Sequence, residues 1–430
     1  MINILKKSKT LLIFSLPIIA GQIGHMLFTL GDTVLIGRYG TSELSALGIS
    51  TALSTPFFLI GLGTTYIISP LKAGKLALKE STKGYLYTTI IIGLIIGSML
   101  NIIVLFLSKI VIYIGYTPEV TGLISSYLRI TSFSMIPAIL FQIFKENLQA
   151  YEKTMIPNGI ILIFNVVNII LNYLFIFVLD LGIEGAAIAT TLSRFLMLIP
   201  ISLYTLKHVN RERVFISSLF KLVLSKGIPV GLNTVITAGM FSVVTLISGK
   251  FSVTASAANN IIITLSSLTY MIPASTSSAV SVKIGAAYSL KNLKEVKEYY
   301  IGSLIMGITI ALVTVFILVL YPYKILGLVS KDPEVIQYGA SILYIVAIYQ
   351  IPDFIQEISI GVLRGCRETL KPMIFTGIGI WGIGFPIALI FSFVLNMEVK
   401  GLWLGLTVGL TILSIFNSLL VRSKIVNPKY

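Results

Sequence analysis

The chain has 430 residues, of which 56% are hydrophobic and only 11% charged, with a mean hydropathy of +0.95, whereas a soluble domain carries about a quarter charged residues. This excludes a soluble enzyme or binding module and indicates a polytopic membrane protein. The formal charge of +15 does not signal nucleic acid, because the basic residues sit in short loops between apolar runs, and the one cysteine, Cys366, excludes an internal disulfide or a cysteine-built metal site.

Apolar runs long enough to span a bilayer, about twenty residues each, number twelve: 11–36, 46–69, 84–107, 123–144, 156–178, 183–206, 224–248, 254–280, 300–322, 338–362, 373–395 and 400–421. The N-terminal run follows Lys6, Lys7 and Lys9 but has no small-residue cleavage site, so it reads as a retained first span. Lys and Arg test the parse, because positive charge accumulates in cytoplasmic loops. Of 32 such residues, Arg38, Lys109, Lys250, Lys324, Lys331 and Lys400 fall on one side, Arg129 and Arg194 lie in or at the edge of a span, and the other 24 fall on the opposite side. Both termini are therefore expected in the cytoplasm. Lys72, Lys145, Arg211 and Lys429 are among the 24.

The first span carries Gln22, His25, Thr29 and Asp32 at spacings of three, four and three, which form one helical face. An ionised carboxylate deep in a bilayer costs roughly 2.5 to 3.5 kcal/mol on the gentlest scale, so Asp32 must face protein or a watery cavity and is a functional candidate. His25 could relay protons to it or be a satisfied interior histidine. Span five repeats the pattern with Asn165, Asn168 and Asn172, which could join helices by hydrogen bonds or hold a ligand. Span six has Thr190 and Thr191 after a small-residue run, GAAIA, that allows close helix approach. Basic and polar residues from 207 to 226 form a cytoplasmic linker, and Asn233 and Thr237 give span seven a neutral polar face. In span ten Pro352 precedes Asp353 and cannot donate to the carbonyl of Ile348, which predicts a bend and a free backbone oxygen beside the acid. Glu357 lies one turn further toward the cytoplasm, where water is expected to reach it.

The chain also repeats itself. Pro17 matches Pro229 at an offset of 212, Pro137 matches Pro352 at 215, and Gly185 matches Gly401 at 216. Six spans separate the copies, so the halves point the same way. The predicted fold is all-α integral membrane, with twelve transmembrane helices in two parallel-repeat six-helix lobes: residues 1–206, the linker 207–226, and residues 227–430. Asp32 has Val244 as its repeat partner and Asp353 has Ala138, so each half holds one deep acid, on a different helix.

DTVLIGRYGTSELSALG resembles the first-helix signature of the multidrug and toxic compound extrusion (MATE) transporters. GVLRGCRETLKP is similar to their tenth-helix motif, and NVVNIILNYLFIF with GIEGAAIATT to spans five and six. The resemblance implies a secondary antiporter in the inner (cytoplasmic) membrane, exporting amphipathic, cationic organic compounds by alternating access in exchange for H⁺ or Na⁺, with no other cofactor. Asp32 would bind the ion with Asn168, Asn172 and Thr190, and Asn172 fits the NorM-like branch. Asp353, with Glu357, would bind ion or substrate in the second lobe. Gln22, His25, Thr29, Asn233, Thr237, Tyr349 and Gln350 are candidates to line the cavity. Thr237 departs from the glutamate of NorM-like members, and Arg367 and Glu368 replace Gly and Asp in the tenth-helix motif. The expected partners are membrane lipid and a small organic substrate, without nucleic acid, and a monomer is expected. The alternative is a flippase for a lipid-linked oligosaccharide, which would need a strongly basic cavity that only Arg129 and Arg194 could supply. A membrane enzyme is disfavoured by the lack of HExxH and GxSxG motifs and by the distance between His25 and His208.

Overall fold

The computed structural model describes residues 2–209 and 212–426. Arg211 of the linker and Lys429, both counted for topology, lie outside the described residues. All regular structure among the described residues is helical. Twelve long segments follow in order: α1 (Ile2–Tyr39), α2 (Thr41–Ala77), α3 (Tyr85–Ile114), α4 (Pro118–Ser132 and Met135–Gln149), α5 (Met155–Val178), α6 (Gly182–His208), α7 (Ser217–Ser248), α8 (Val253–Ser289), α9 (Leu293–Leu320), α10 (Pro333–Gly365), α11 (Leu370–Val394) and α12 (Glu398–Val426), with a six-residue helix, Pro322–Gly327, between α9 and α10. They match the twelve predicted runs one for one. Ten are long and apolar enough to cross a membrane, and α4 is an eleventh if its halves, bent by 41°, count as one span. The remaining one, α8, has 37 residues, but its Ser, Thr and Asn lower its hydropathy.

Local chemistry sets several of the starts. Ser252 Oγ accepts from the Ala255 amide at 2.9 Å and Asn292 Oδ1 from Glu295 at 3.1 Å. Asp332 Oδ1 accepts from Glu334 at 2.9 Å, with Pro333 in the first turn of α10. The same helix runs unbroken through Pro352, so the missing amide loosens one rung without ending the span.

The chain divides into two compact units, Pro17–Gly231 and Met1–Leu16 with Leu232–Tyr430. Both crossings fall next to the repeat-paired prolines, Pro17 in α1 and Pro229 in α7. The core of the first unit gathers Ile36, Leu100, Ile139, Ile176 and Ala186, that of the second Val244, Leu343, Trp403 and Leu406. The opening turns of α1 belong to the second unit: Lys7 pairs with Glu295, and Ser8 Oγ donates to the Gly302 carbonyl at 2.8 Å.

Two lysines counted as loop residues are buried in helices instead. Hydropathy ends the predicted spans just before them, yet α2 continues to Ala77 and α4 to Gln149, leaving Lys72 fully buried and Lys145 only 4% exposed. Lys72 Nζ donates to Asn147 Oδ1 at 2.7 Å and lies 5.3 Å and 4.9 Å from the rings of Tyr85 and Tyr151, with no carboxylate partner among the described residues. Asn147 in turn donates to Thr89 Oγ1 at 3.0 Å. Replacing Asn147 by Ala would strand this ammonium, and the expected loss of about 1–3 kcal/mol should lower the thermal unfolding midpoint of the purified protein. An unchanged midpoint would show that Lys72 has other support.

Candidate functional site

In the Pro17–Gly231 unit the polar faces of spans one, five and six converge on Asp32. Its side chain is buried; Oδ1 accepts from Asn172 Nδ2 at 2.6 Å and Oδ2 from Thr190 Oγ1 at 2.9 Å. Asn172 also donates to Asn168 Oδ1 at 3.0 Å. Small residues permit this approach. A Cβ on Gly24 would lie 2.9 Å from Ile161 and 3.0 Å from Asn165, which lets α1 abut α5, and one on Gly185 would lie 2.7 Å from the Phe175 backbone, which brings α6 against α5. The contact with α6 falls at a π-helical turn, Leu174–Val178.

Two buried polar atoms beside Asp32, Asn172 Oδ1 and Asn168 Nδ2, have no hydrogen-bond partner. Buried polar groups are nearly always paired, so an open acceptor next to a carboxylate is suited to take a donor or a cation. The carboxylate, the Thr190 hydroxyl and the Asn172 amide oxygen form an all-oxygen set, which suits a proton or a small hard cation. The rest of the α1 stripe differs: Gln22 is half-buried, while His25 and Thr29 are exposed.

The second unit gathers acids on α10. Asp353 and Glu357 are both buried, one turn apart. Water was expected at Glu357, but that residue is only 8% exposed, because α8 covers it: Tyr270 donates its hydroxyl to Glu357 Oε2 at 3.4 Å. Arg364 Nη2 donates to Ser277 Oγ on α8 at 3.0 Å. Asp353 makes no hydrogen bond among the described residues. The glycines of the GVLRG stretch make this possible. A Cβ on Gly361 would lie 2.9 Å from Ser277 Cα, and one on Gly365 2.7 Å from Ile284, so α10 can lie directly on α8.

Other predicted residues of this unit are spent locally. Tyr349 packs edge-on against Trp403 with ring centres 5.6 Å apart, and Gln350 donates to Thr269 Oγ1 at 2.9 Å. Thr237 donates to the Asn233 carbonyl of its own helix at 3.0 Å, and Asn233 Oδ1 is buried without a partner. Sequence reasoning missed Tyr270 and Ser277, because α8 shows no hydrophobic contrast that would single out one face.

Comparison with known proteins gives the family of the chain. The MatE family model matches residues 17–174 and again 229–390, most of the chain. The chain belongs to the MATE family. The two matches start 212 residues apart, at Pro17 and Pro229, which is the repeat offset read from the sequence. This MATE protein is 27% identical over 427 residues to the "Probable multidrug resistance protein NorM" of Rhizobium meliloti, covering 93% of this chain and 90% of that one. It is 26% identical over 428 residues to the protein of the same name from Agrobacterium fabrum, with 94% and 91% covered, in agreement with the NorM-like branch. Its fold is similar to that of the MATE transporter VcmN from Vibrio cholerae in the bent form, with a TM-score of 0.91, 18% identity, and 100% and 99% of the chains covered. It is also similar to a MOP superfamily transporter from Pyrococcus furiosus, with a TM-score of 0.89, 19% identity, and 99% and 97% covered. The comparisons thus make this a transporter and not an enzyme, and a multi-pass membrane protein.

Proposed function

We propose that this MATE transporter is a multidrug exporter: a secondary antiporter that moves amphipathic organic compounds, with a cationic group among their features, out of the cell in exchange for H⁺ or Na⁺. The observation that carries the reading is a buried carboxylate, Asp32, beside an open amide oxygen in a segment long enough to cross a bilayer. A charge kept there at a few kcal/mol needs a counter-ion or a proton. Asn168, Asn172 and Thr190 complete the ion site, and Asp353 with Glu357 attracts the cationic group of the substrate. The names of the NorM relatives support multidrug export, and the charge count over the loops supports cytoplasmic termini in an inner membrane. Alternating access couples the two events, since an ion shifts the conformational equilibrium only by its difference in affinity between the two states.

Cells expressing the chain should accumulate less of a fluorescent organic cation than cells with an empty vector, and equal accumulation would contradict export. Replacing Asp353 by Asn should weaken the apparent affinity for that cation about tenfold, in line with the 1.5–3 kcal/mol of a charge-assisted contact. An unchanged half-saturating concentration would remove Asp353 from substrate binding.

A further inference from the structure

Each deep acid lies on a helix that gives a tyrosine to one turn of its own unit. On α1, Asp32, Ile36 and Tyr39 follow at spacings of four and three, which is one helical face. Asp32 meets α5 and α6, and Ile36 is fully buried in the same core as Ile176 and Ile183. One turn further, the Tyr39 hydroxyl donates to Asp180 Oδ1 at 2.9 Å, in the turn between α5 and α6. Asp180 and Gly182 of that turn both have left-handed backbone, with φ of 53° and 52°. The Tyr39 ring centre lies 6.1 Å from that of Phe177, and a Cβ on Gly182 would be 2.8 Å from the Tyr39 ring, so the turn leaves room for this ring and no more.

The second unit repeats the turn at the offset of 216. Asn396 and Glu398 stand where Asp180 and Gly182 do, with φ of 54° and 50°, and Phe393 stands for Phe177. On α7 the counterpart of Tyr39 is Phe251, whose ring centre lies 5.1 Å from that of Phe393 but which has no hydroxyl to donate. The same helix has Val244 where α1 has Asp32. The carboxylate of this second turn serves α10 instead: Glu398 Oε2 accepts from the Tyr338 hydroxyl at 2.6 Å, and Lys400 Nζ lies 5.9 Å from the Tyr338 ring centre. α10 bears Asp353 and Glu357, whereas α4, its counterpart in the first half, has Leu123 in place of Tyr338. In each half, then, the helix that carries the deep acid is the one that gives a tyrosine hydroxyl to a carboxylate of the turn. Packing alone does not require the hydroxyl, since the Phe251 ring lies on Phe393 without one.

We propose that Tyr39 with Asp180, and Tyr338 with Glu398, are positioning pairs. The first holds α1 so that Asp32 stays in register with the other oxygen ligands of the coupling cation, and the second holds α10 so that Asp353 and Glu357 meet the cationic group of the substrate. From tyrosine to acid is about two helical turns on α1 and about four on α10, which runs unbroken through Pro352. A helix is stiff over such lengths, so play at the tied end reaches the acid as a small displacement, and a site built of fixed oxygens loses affinity when one of them moves. The proposal rests on the export reading above and adds to it residues that touch neither ion nor substrate.

The test measures export by the full chain in proteoliposomes, varying H⁺ and then Na⁺ at a fixed level of a fluorescent organic cation, and the cation at a fixed level of the ion. Tyr39→Phe and Tyr338→Phe keep the rings and remove only the hydroxyls. Tyr39→Phe should raise the half-saturating ion concentration about fivefold and leave that of the organic cation unchanged, and Tyr338→Phe should do the reverse, as expected for one hydrogen bond each. Asp180→Gly, which suits the left-handed backbone and deletes the acceptor, should act like Tyr39→Phe, and the two together should be no worse than either alone. A general loss of packing would move both constants together. Equal shifts in both, or no shift in either variant of an ion-dependent transporter, would overturn the proposal and leave the export reading standing. A wild-type chain whose export responds to neither ion would sink that reading, and this proposal with it.

Discussion

Asp32→Asn is expected to abolish gradient-driven export, a fall of at least about a hundredfold, without unfolding the protein. Asparagine has the shape of aspartate and can still accept from Thr190 through one oxygen, so the packing of α1 against α5 and α6 survives. What is lost is the charge. Removing one partner of a buried ionic contact costs on the order of 3 kcal/mol or more, about a hundredfold in ion affinity. The ion would then favour neither conformation, and a ligand without differential affinity shifts nothing. Asn172→Ala, which deletes the open amide oxygen and one hydrogen bond to Asp32, should weaken the ion dependence by a smaller factor. The check is efflux from proteoliposomes with matched protein levels, and full export by Asp32→Asn would move the coupling site elsewhere.

Gly405→Leu is expected to remove the folded protein altogether. Gly401, Gly405 and Gly409 recur every fourth residue along one face of α12, and α11 meets that face with Gly384, Ala388 and Ser392 at the same spacing. A Cβ on Gly405 would lie 2.6 Å from that of Ala388 and closer still to its backbone, and one on Gly409 would lie 2.5 Å from the Gly379 carbonyl oxygen. Backbone cannot swing away as a flexible side chain can, so the helices must separate. The cost should reach or exceed the upper end of ordinary overpacking, about 3 kcal/mol. Size-exclusion profiles of the solubilised protein should lose their monodisperse peak. Gly159→Ala, where a Cβ meets nothing within 4 Å, is the control. A normal peak for Gly405→Leu would mean that α11 and α12 are not held by this seam.

Much of this was legible in the sequence, for physical reasons that can be named. Twelve apolar runs give twelve helices because hydropathy over twenty residues reports the membrane directly. Asp32, Asn172 and Thr190 could be assembled because each breaks an apolar background at helical spacing, and a polar residue in a bilayer must find a partner. Lys72 and Lys145 were misplaced for the opposite reason. At the end of a span a lysine looks the same whether it ends in water or folds back into the helix bundle, and only the neighbours, Asn147 and the tyrosine rings around Lys72, decide. The cover over Glu357 was hidden too, since α8 mixes small, polar and apolar residues on every face and its Tyr270 carries no periodic signal. The seam of α11 and α12 was written as glycines every fourth residue, but composition does not say which helix they face.

The most direct test of antiport is uphill efflux of a fluorescent organic cation from proteoliposomes holding the purified chain, under an inward pH gradient and separately an inward Na⁺ gradient. Accumulation against the concentration gradient under one of them, collapsing when an ionophore dissipates it, is the predicted result and names the coupling ion. Movement that only equilibrates the compound, at the same rate with or without either gradient, would contradict ion-coupled antiport.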